Sequence, residues 1–164
     1  VSMKELEIIK KAVLIEKEGY EFYKMAAEKA TEEDVKDAFM FLANEEKAHL
    51  DWLMSLYEDI KADRNITLDI ENLKEPDQPK RIFTWKNVSP ESGSLAVSVF
   101  GIGANMEKNA IDFYRKAAKE SEIPEAKALF EKLVDWEAEH MDEFQKNYDQ
   151  LKEEWWDKQG FSTS

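Results

Sequence analysis

Two short segments carry residues whose types and spacing suit metal chemistry: Glu46-Lys47-Ala48-His49 and Glu137-Ala138-Glu139-His140. Residues three apart share one face of a helix, so in each segment a carboxylate and an imidazole can grip one cation or bridge two. Glu16 and Glu107 each stand thirty residues upstream of Glu46 and Glu137, the separation expected of partners on antiparallel neighbouring helices. The chain has no cysteine, so any metal must be held by oxygen and nitrogen, and disulfides and thiolate nucleophiles are excluded. Four glutamates would neutralise two divalent ions. The same four packed into a core without cations would repel one another and take up protons.

A glutamate three residues before a histidine is weak evidence in so acidic a chain, and register is what strengthens it. Sliding the sequence by 91 residues places Glu16 on Glu107, Phe22-Tyr23 on Phe113-Tyr114, Phe39 on Phe130, Leu42 on Leu133, Glu46 on Glu137 and His49 on His140. No gap is needed. A duplicated helical hairpin puts equivalent side chains about a pseudo-two-fold axis, where paired ligands converge. The repeat also separates Glu46 from Glu45, because the position matching Glu45 is Trp136; Glu46 is the expected ligand. Asp51 and Asp142 match too, but two residues beyond the histidines they point away, to the surface.

The elements that position these residues follow from apolar periodicity. Helices are expected at about 3–30, 32–62, 90–120 and 124–156, with Thr31 capping the second and Ser89-Pro90 opening the third. Between them, about 63–88 breaks the pattern with Pro76 and Pro79 and reads as a long crossover. The expected fold is all-α: a ferritin-like four-helix bundle of two antiparallel helical hairpins joined by that crossover, one domain over 1–164. In such bundles a Glu from each of two helices and Glu-x-x-His from each of the other two form a di-iron or di-manganese site. The expected ligands are Glu16, Glu46, His49, Glu107, Glu137 and His140. Tyr23 and Tyr114 lie seven residues after Glu16 and Glu107, on the same faces, so their hydroxyls are placed to approach the carboxylates. Gly101-Ile102-Gly103 is not a dinucleotide turn, since Met106 stands at the third glycine position; these glycines are expected to permit close helix packing. Gly19 and Ala110, three residues after Glu16 and Glu107, are small enough to leave a gap beside the ions for dioxygen or peroxide.

Charge and hydropathy narrow the partners. Thirty-six acidic against 23 basic residues give a formal charge of -13, which repels nucleic acid and anionic lipid. No apolar stretch approaches the roughly 20 residues of a membrane span, so a cytoplasmic protein is expected. The apolar bundle surface and the tryptophans suggest a homodimer. Trp155-Trp156 is expected to pack at a helix end.

As a set, Glu16 with Tyr23, Glu46-x-x-His49, Glu107 with Tyr114 and Glu137-x-x-His140 resemble the rubrerythrin branch of the ferritin-like superfamily. The resemblance implies two iron ions, with manganese or zinc as substitutes, and reduction of hydrogen peroxide with electrons from outside. Full-length rubrerythrins append a cysteine-ligated iron domain; with no cysteine here, an external electron-donor protein is implied. They also often carry a glutamate three after the third-helix ligand, where this chain has Ala110. Bacterioferritin shares the six ligands, but Lys47 stands where its haem methionine would be, so haem is not expected. The alternatives to a peroxidase are a ferroxidase or iron-handling protein, and a structural module holding zinc or manganese.

Overall fold

The computed structural model describes residues 3–76 and 89–158. Four helices account for most of them: α1 (Met3–Lys29), α2 (Glu33–Lys61), α3 (Pro90–Glu120) and α4 (Pro124–Lys158). α1 packs against α2 and α3 against α4, as two hairpins. Contacts at the helix ends give the topology. The backbone N–H of Ser89, entering α3, donates to Glu32 at the start of α2, so α2 and α3 begin at the same end and run parallel. At the other end Ser121 and Glu122, between α3 and α4, donate to the carboxylate of Glu5 near the start of α1. α3 is therefore antiparallel to α1, and the crossover travels the length of the bundle, as in ferritin-like folds.

Local chemistry sets the helix ends. Ser89 caps α3, its hydroxyl accepting from the N–H of Ser92 at 3.2 Å, with Pro90 in the first turn; such a cap is worth about 1 kcal/mol. Thr31 does not cap α2. Glu32 occupies the cap position without a side-chain bond to the first turn of α2, and the Thr31 hydroxyl lies 3.3 Å from that of Ser92, joining two helix starts instead. Trp155 donates from its indole N–H to Ser94 near the start of α3, which is the helix-end packing expected of it. Of the expected crossover, residues 77–88, with Pro79, lie outside the described residues. The described part makes a short 3-10 turn at Ile70–Asn72, where Ile70 is buried and the Glu71 carbonyl accepts from Lys132 of α4.

Two apolar clusters fill the interior. One gathers Ile9, Ala12, Leu53, Leu56, Tyr114, Leu129, Phe130 and Leu133; the other Tyr23, Ala26, Phe39, Leu42, Val99, Phe100 and Phe144. Each large aliphatic or aromatic side chain so buried stabilises the fold by about 1.5–3 kcal/mol. On every helix the change from one cluster to the other falls at the glutamates and histidines singled out above. The polar residues thus form a layer at mid-bundle, sealed above and below by hydrocarbon. The 91-residue repeat exchanges the clusters: Leu42 belongs to one, Leu133 to the other.

Candidate metal centre

Each helix delivers its ligand candidates from its middle, where backbone hydrogen bonding is complete and the side chains are held most rigidly. Glu16 comes from α1, Glu46 and His49 from α2, Glu107 from α3, Glu137 and His140 from α4, and all six are buried. Two sets converge. Glu16, Glu46, His49 and Glu137 each offer a ligand atom within 4.8 Å of the others, and so do Glu46, Glu107, Glu137 and His140. Glu46 and Glu137 belong to both sets, as bridging carboxylates would. The His49 Nδ1 lies 3.0 Å from Glu137 and 3.4 Å from Glu16, and the His140 Nδ1 lies 3.6 Å from Glu137. Asp51 and Asp142 are exposed, Asp51 being paired with Lys47.

Burying four carboxylates and two imidazoles is costly unless something compensates. Burial, then repulsion from Glu16 and Glu137, holds the Glu46 carboxyl well above its ordinary range. Burial alone would depress both histidines, but the surrounding carboxylates outweigh it and raise them, Glu16 most for His49 and Glu137 most for His140. Glu137 is lowered to about 2, because the adjoining imidazoles of His140 and His49 outweigh its own desolvation. Even so, Glu16 Oε2, both Glu137 oxygens, the Nδ1 atoms of both histidines and the Nε2 of His140 have no partner in hydrogen-bond geometry. Orphaned oxygen and imidazole donors converging in a buried layer are the donor set that two divalent cations of the iron, manganese or zinc kind would satisfy.

The rubrerythrin family model matches residues 7–148, a span holding all of these ligand candidates. The chain belongs to the rubrerythrin family. A solved structure of a hypothetical protein from Pyrococcus furiosus shares the fold at a TM-score of 0.63 and 24% identity, over 91% of this chain and 90% of that one. No curated protein matches. Membership of the rubrerythrin family and the buried carboxylate and histidine groups together fit a di-iron protein. No helix among the described residues is long and apolar enough to cross a membrane.

The two tyrosines reach this rubrerythrin-type layer across the bundle. Tyr114 of α3 donates to Glu16 of α1 at 2.6 Å, and Tyr23 of α1 donates to Glu107 of α3 at 3.4 Å. Burial first, then nearby carboxylates, push both phenols well above their ordinary range, so both stay protonated as donors. Glycine makes two of these approaches possible. A Cβ on Gly103 would stand 2.8 Å from the Tyr23 hydroxyl, and one on Gly19 would stand 3.0 Å from Glu46 Oε2. Gly19 therefore admits the Glu46 carboxylate as well as leaving space. A cavity of about 120 Å³ remains between α1 and α3, lined by Gly19, Tyr23, Glu46, Met106, Glu107 and Ala110 among others.

Two buried or half-buried acids were not among the expected site residues. Glu45 is not a bystander: its carboxylate lies 3.0 Å from the His140 Nε2, and burial pushes it up to about 8 despite that imidazole. Its burial at helical spacing from Leu42 and His49 was readable, but not its destination, which lies on the other hairpin. Glu75, on the crossover, lies 2.9 Å from the His49 Nε2 and 3.0 Å from the His140 Nε2. No periodicity or repeat could have found it, because its position follows from where the crossover runs.

Proposed function

We propose that this rubrerythrin-family chain is a non-haem di-iron oxidoreductase that reduces hydrogen peroxide, with electrons arriving from a separate redox protein. One observation carries the reading furthest: the roughly 120 Å³ cavity between α1 and α3 borders Glu46 and Glu107 directly, leaving the carboxylate layer one small, reachable face. The cavity has room for peroxide or dioxygen beside the carboxylates. Glu16, Glu46, His49 and Glu137 would hold one iron, and Glu46, Glu107, Glu137 and His140 the other.

Two iron ions supply, when bound, the two electrons that peroxide needs to become two waters. The protein's own residues contribute position and protons. Two protons must also be delivered, and the Tyr23 hydroxyl, protonated and lining the cavity, is placed to hold one there while bonded to Glu107. Leu53, Leu133 and the rest of the two apolar clusters keep bulk water from the far sides of the layer. With no cysteine in its sequence, this chain carries no thiolate-held iron to relay electrons, which is why a separate donor is part of the proposal.

A ferroxidase or iron-handling role is the second reading. The exposed Glu18 at the cavity and the net charge of -13 would draw ferrous ion toward the same opening. Replacing Ala110 by leucine decides between them. The branched side chain fills the cavity and leaves all six ligand candidates in place, so iron content should hold while the peroxide rate falls roughly tenfold to a hundredfold. Overpacking costs about 1–3 kcal/mol, so thermal unfolding is recorded alongside. Stopped-flow absorbance of iron oxidation in the wild type should be faster with peroxide than with dioxygen. Faster reaction with dioxygen, or unchanged peroxide kinetics in a folded, iron-loaded variant, would reject the peroxidase reading.

A further inference from the structure

The imidazoles of His49 and His140 lie nearly parallel, 11° apart with centroids at 6.0 Å. Their Nδ1 atoms both face Glu137, in the carboxylate layer. Their Nε2 atoms both face the opposite way, toward a single oxygen, Oε2 of Glu75, at 2.9 Å in a hydrogen bond from His49 and at 3.0 Å from His140, where the contact is close but off the hydrogen-bond line. Glu75 is on neither hairpin. It lies on the crossover, which is tied down just before it by Thr67, whose N–H and hydroxyl donate to Asp59, by the buried Ile70, and by the bond from Lys132 to the Glu71 carbonyl.

We propose that Glu75 is the positioning residue of the metal centre: one crossover carboxylate that orients both histidines, turning their Nδ1 atoms to the ions. The inference rests on the di-metal reading above. A neutral imidazole has one N–H, and if Nδ1 is a metal ligand the proton must sit on Nε2, where a carboxylate can accept it and fix the ring's tautomer and direction. Paired histidines usually need a separate partner each. Here the rings are close enough to share one, with Glu45 adding a second oxygen at His140 alone. A third cation between Glu45, Glu75 and His140 is the competing use of these atoms. It would require the His140 Nε2 to be a ligand, which is incompatible with a proton on that nitrogen. Among its described residues the crossover supplies no candidate ligand to the two inner sets, and Glu75 is the acceptor it brings to the histidines.

The test uses the full chain, wild type and the variants Glu75→Ala and Glu75→Gln, with Glu71→Ala as a control on the same segment. Anaerobic titration with ferrous ion against a competing chelator should give two ions per wild-type chain. Glu75→Ala should weaken both tenfold to a hundredfold, the usual cost of removing a histidine's outer partner. Glu75→Gln should recover part of that, because its amide oxygen still accepts a hydrogen bond. In the zinc-loaded protein, ¹⁵N spectra of labelled histidine should show two Nε2–H tautomers protected from exchange, with protection lost in Glu75→Ala and kept in Glu71→Ala. Wild-type affinity with unchanged histidine signals in Glu75→Ala would overturn the proposal. So would a third ion per chain that disappears with Glu75. Fewer than two ions in the wild type would instead overturn the di-metal reading itself.

Discussion

The two hairpins repeat their ligand candidates faithfully and surround them differently. The position one before each inward glutamate shows how. In the α1–α2 hairpin it is Glu45, and in the α3–α4 hairpin it is Trp136; each reaches across to the other hairpin's histidine. Glu45 places a carboxylate 3.0 Å from the His140 Nε2, whereas the Trp136 ring stacks on His49 at 5.7 Å and 8°, with Trp52 5.5 Å away on the same imidazole. One register position therefore performs one geometric task with opposite chemistry. Two tryptophans flank His49, whereas His140 has Phe144 on its ring and the additional acid Glu45, and the two halves of the centre are not equivalent. The tyrosines differ in the same way: Tyr114 bonds Glu16 at 2.6 Å, while Tyr23 bonds Glu107 at 3.4 Å and needs Gly103, whose counterpart in the first hairpin is Ala12.

The largest expected effect separates what is shared from what is duplicated. Glu137 contributes to both ligand sets and Glu16 to one, so Glu137→Ala should abolish tight binding of both ions, and Glu16→Ala of only one. Metal analysis after anaerobic loading and desalting reads the difference directly; equal losses in the two variants would mean that the sets are not as drawn.

Asymmetry at the histidines predicts a smaller change. Glu45→Ala should weaken one ion, the one nearer His140, by about tenfold, the low end for an outer partner, because Glu75 still holds that ring. Trp136→Phe, which keeps an aromatic face on His49, should leave both affinities within about twofold, as expected of an apolar contact making no hydrogen bond to the ring. Biphasic chelator competition in Glu45→Ala against a single phase in Trp136→Phe would support the comparison, and the reverse pattern would break it.

Packing around the tyrosines should give the smallest effect. Gly103→Ala puts a Cβ against the Tyr23 hydroxyl and should cost about 1–3 kcal/mol by overpacking, offset by about 1 kcal/mol of helix propensity, whereas Ala12→Gly should cost about 1 kcal/mol of helix propensity and about 0.8 kcal/mol for a lost buried methyl. Denaturant unfolding of the two variants compares these directly. Only Gly103→Ala should also alter the near-ultraviolet signal of a buried tyrosine, since only there must the ring move.

Much of this protein was legible from residue order. Helical periodicity and the Ser89-Pro90 start are local, set by how side chains and caps satisfy a backbone over a few residues, and the 91-residue repeat carried the four inward glutamates and both histidines without a structure. The same locality explains the failure at Thr31: whether a hydroxyl caps its own helix or meets Ser92 on another depends on what packs beside it. Tertiary structure alone decided the rest. It crossed the tyrosines to the opposite helices, sent Glu45 to His140 and Trp136 to His49, and brought Glu75 from an aperiodic segment to a point between two imidazoles. Those contacts join residues 26 to 98 positions apart. Periodicity can say which face of a helix a side chain occupies, but what that face meets is set by the packing of the bundle as a whole.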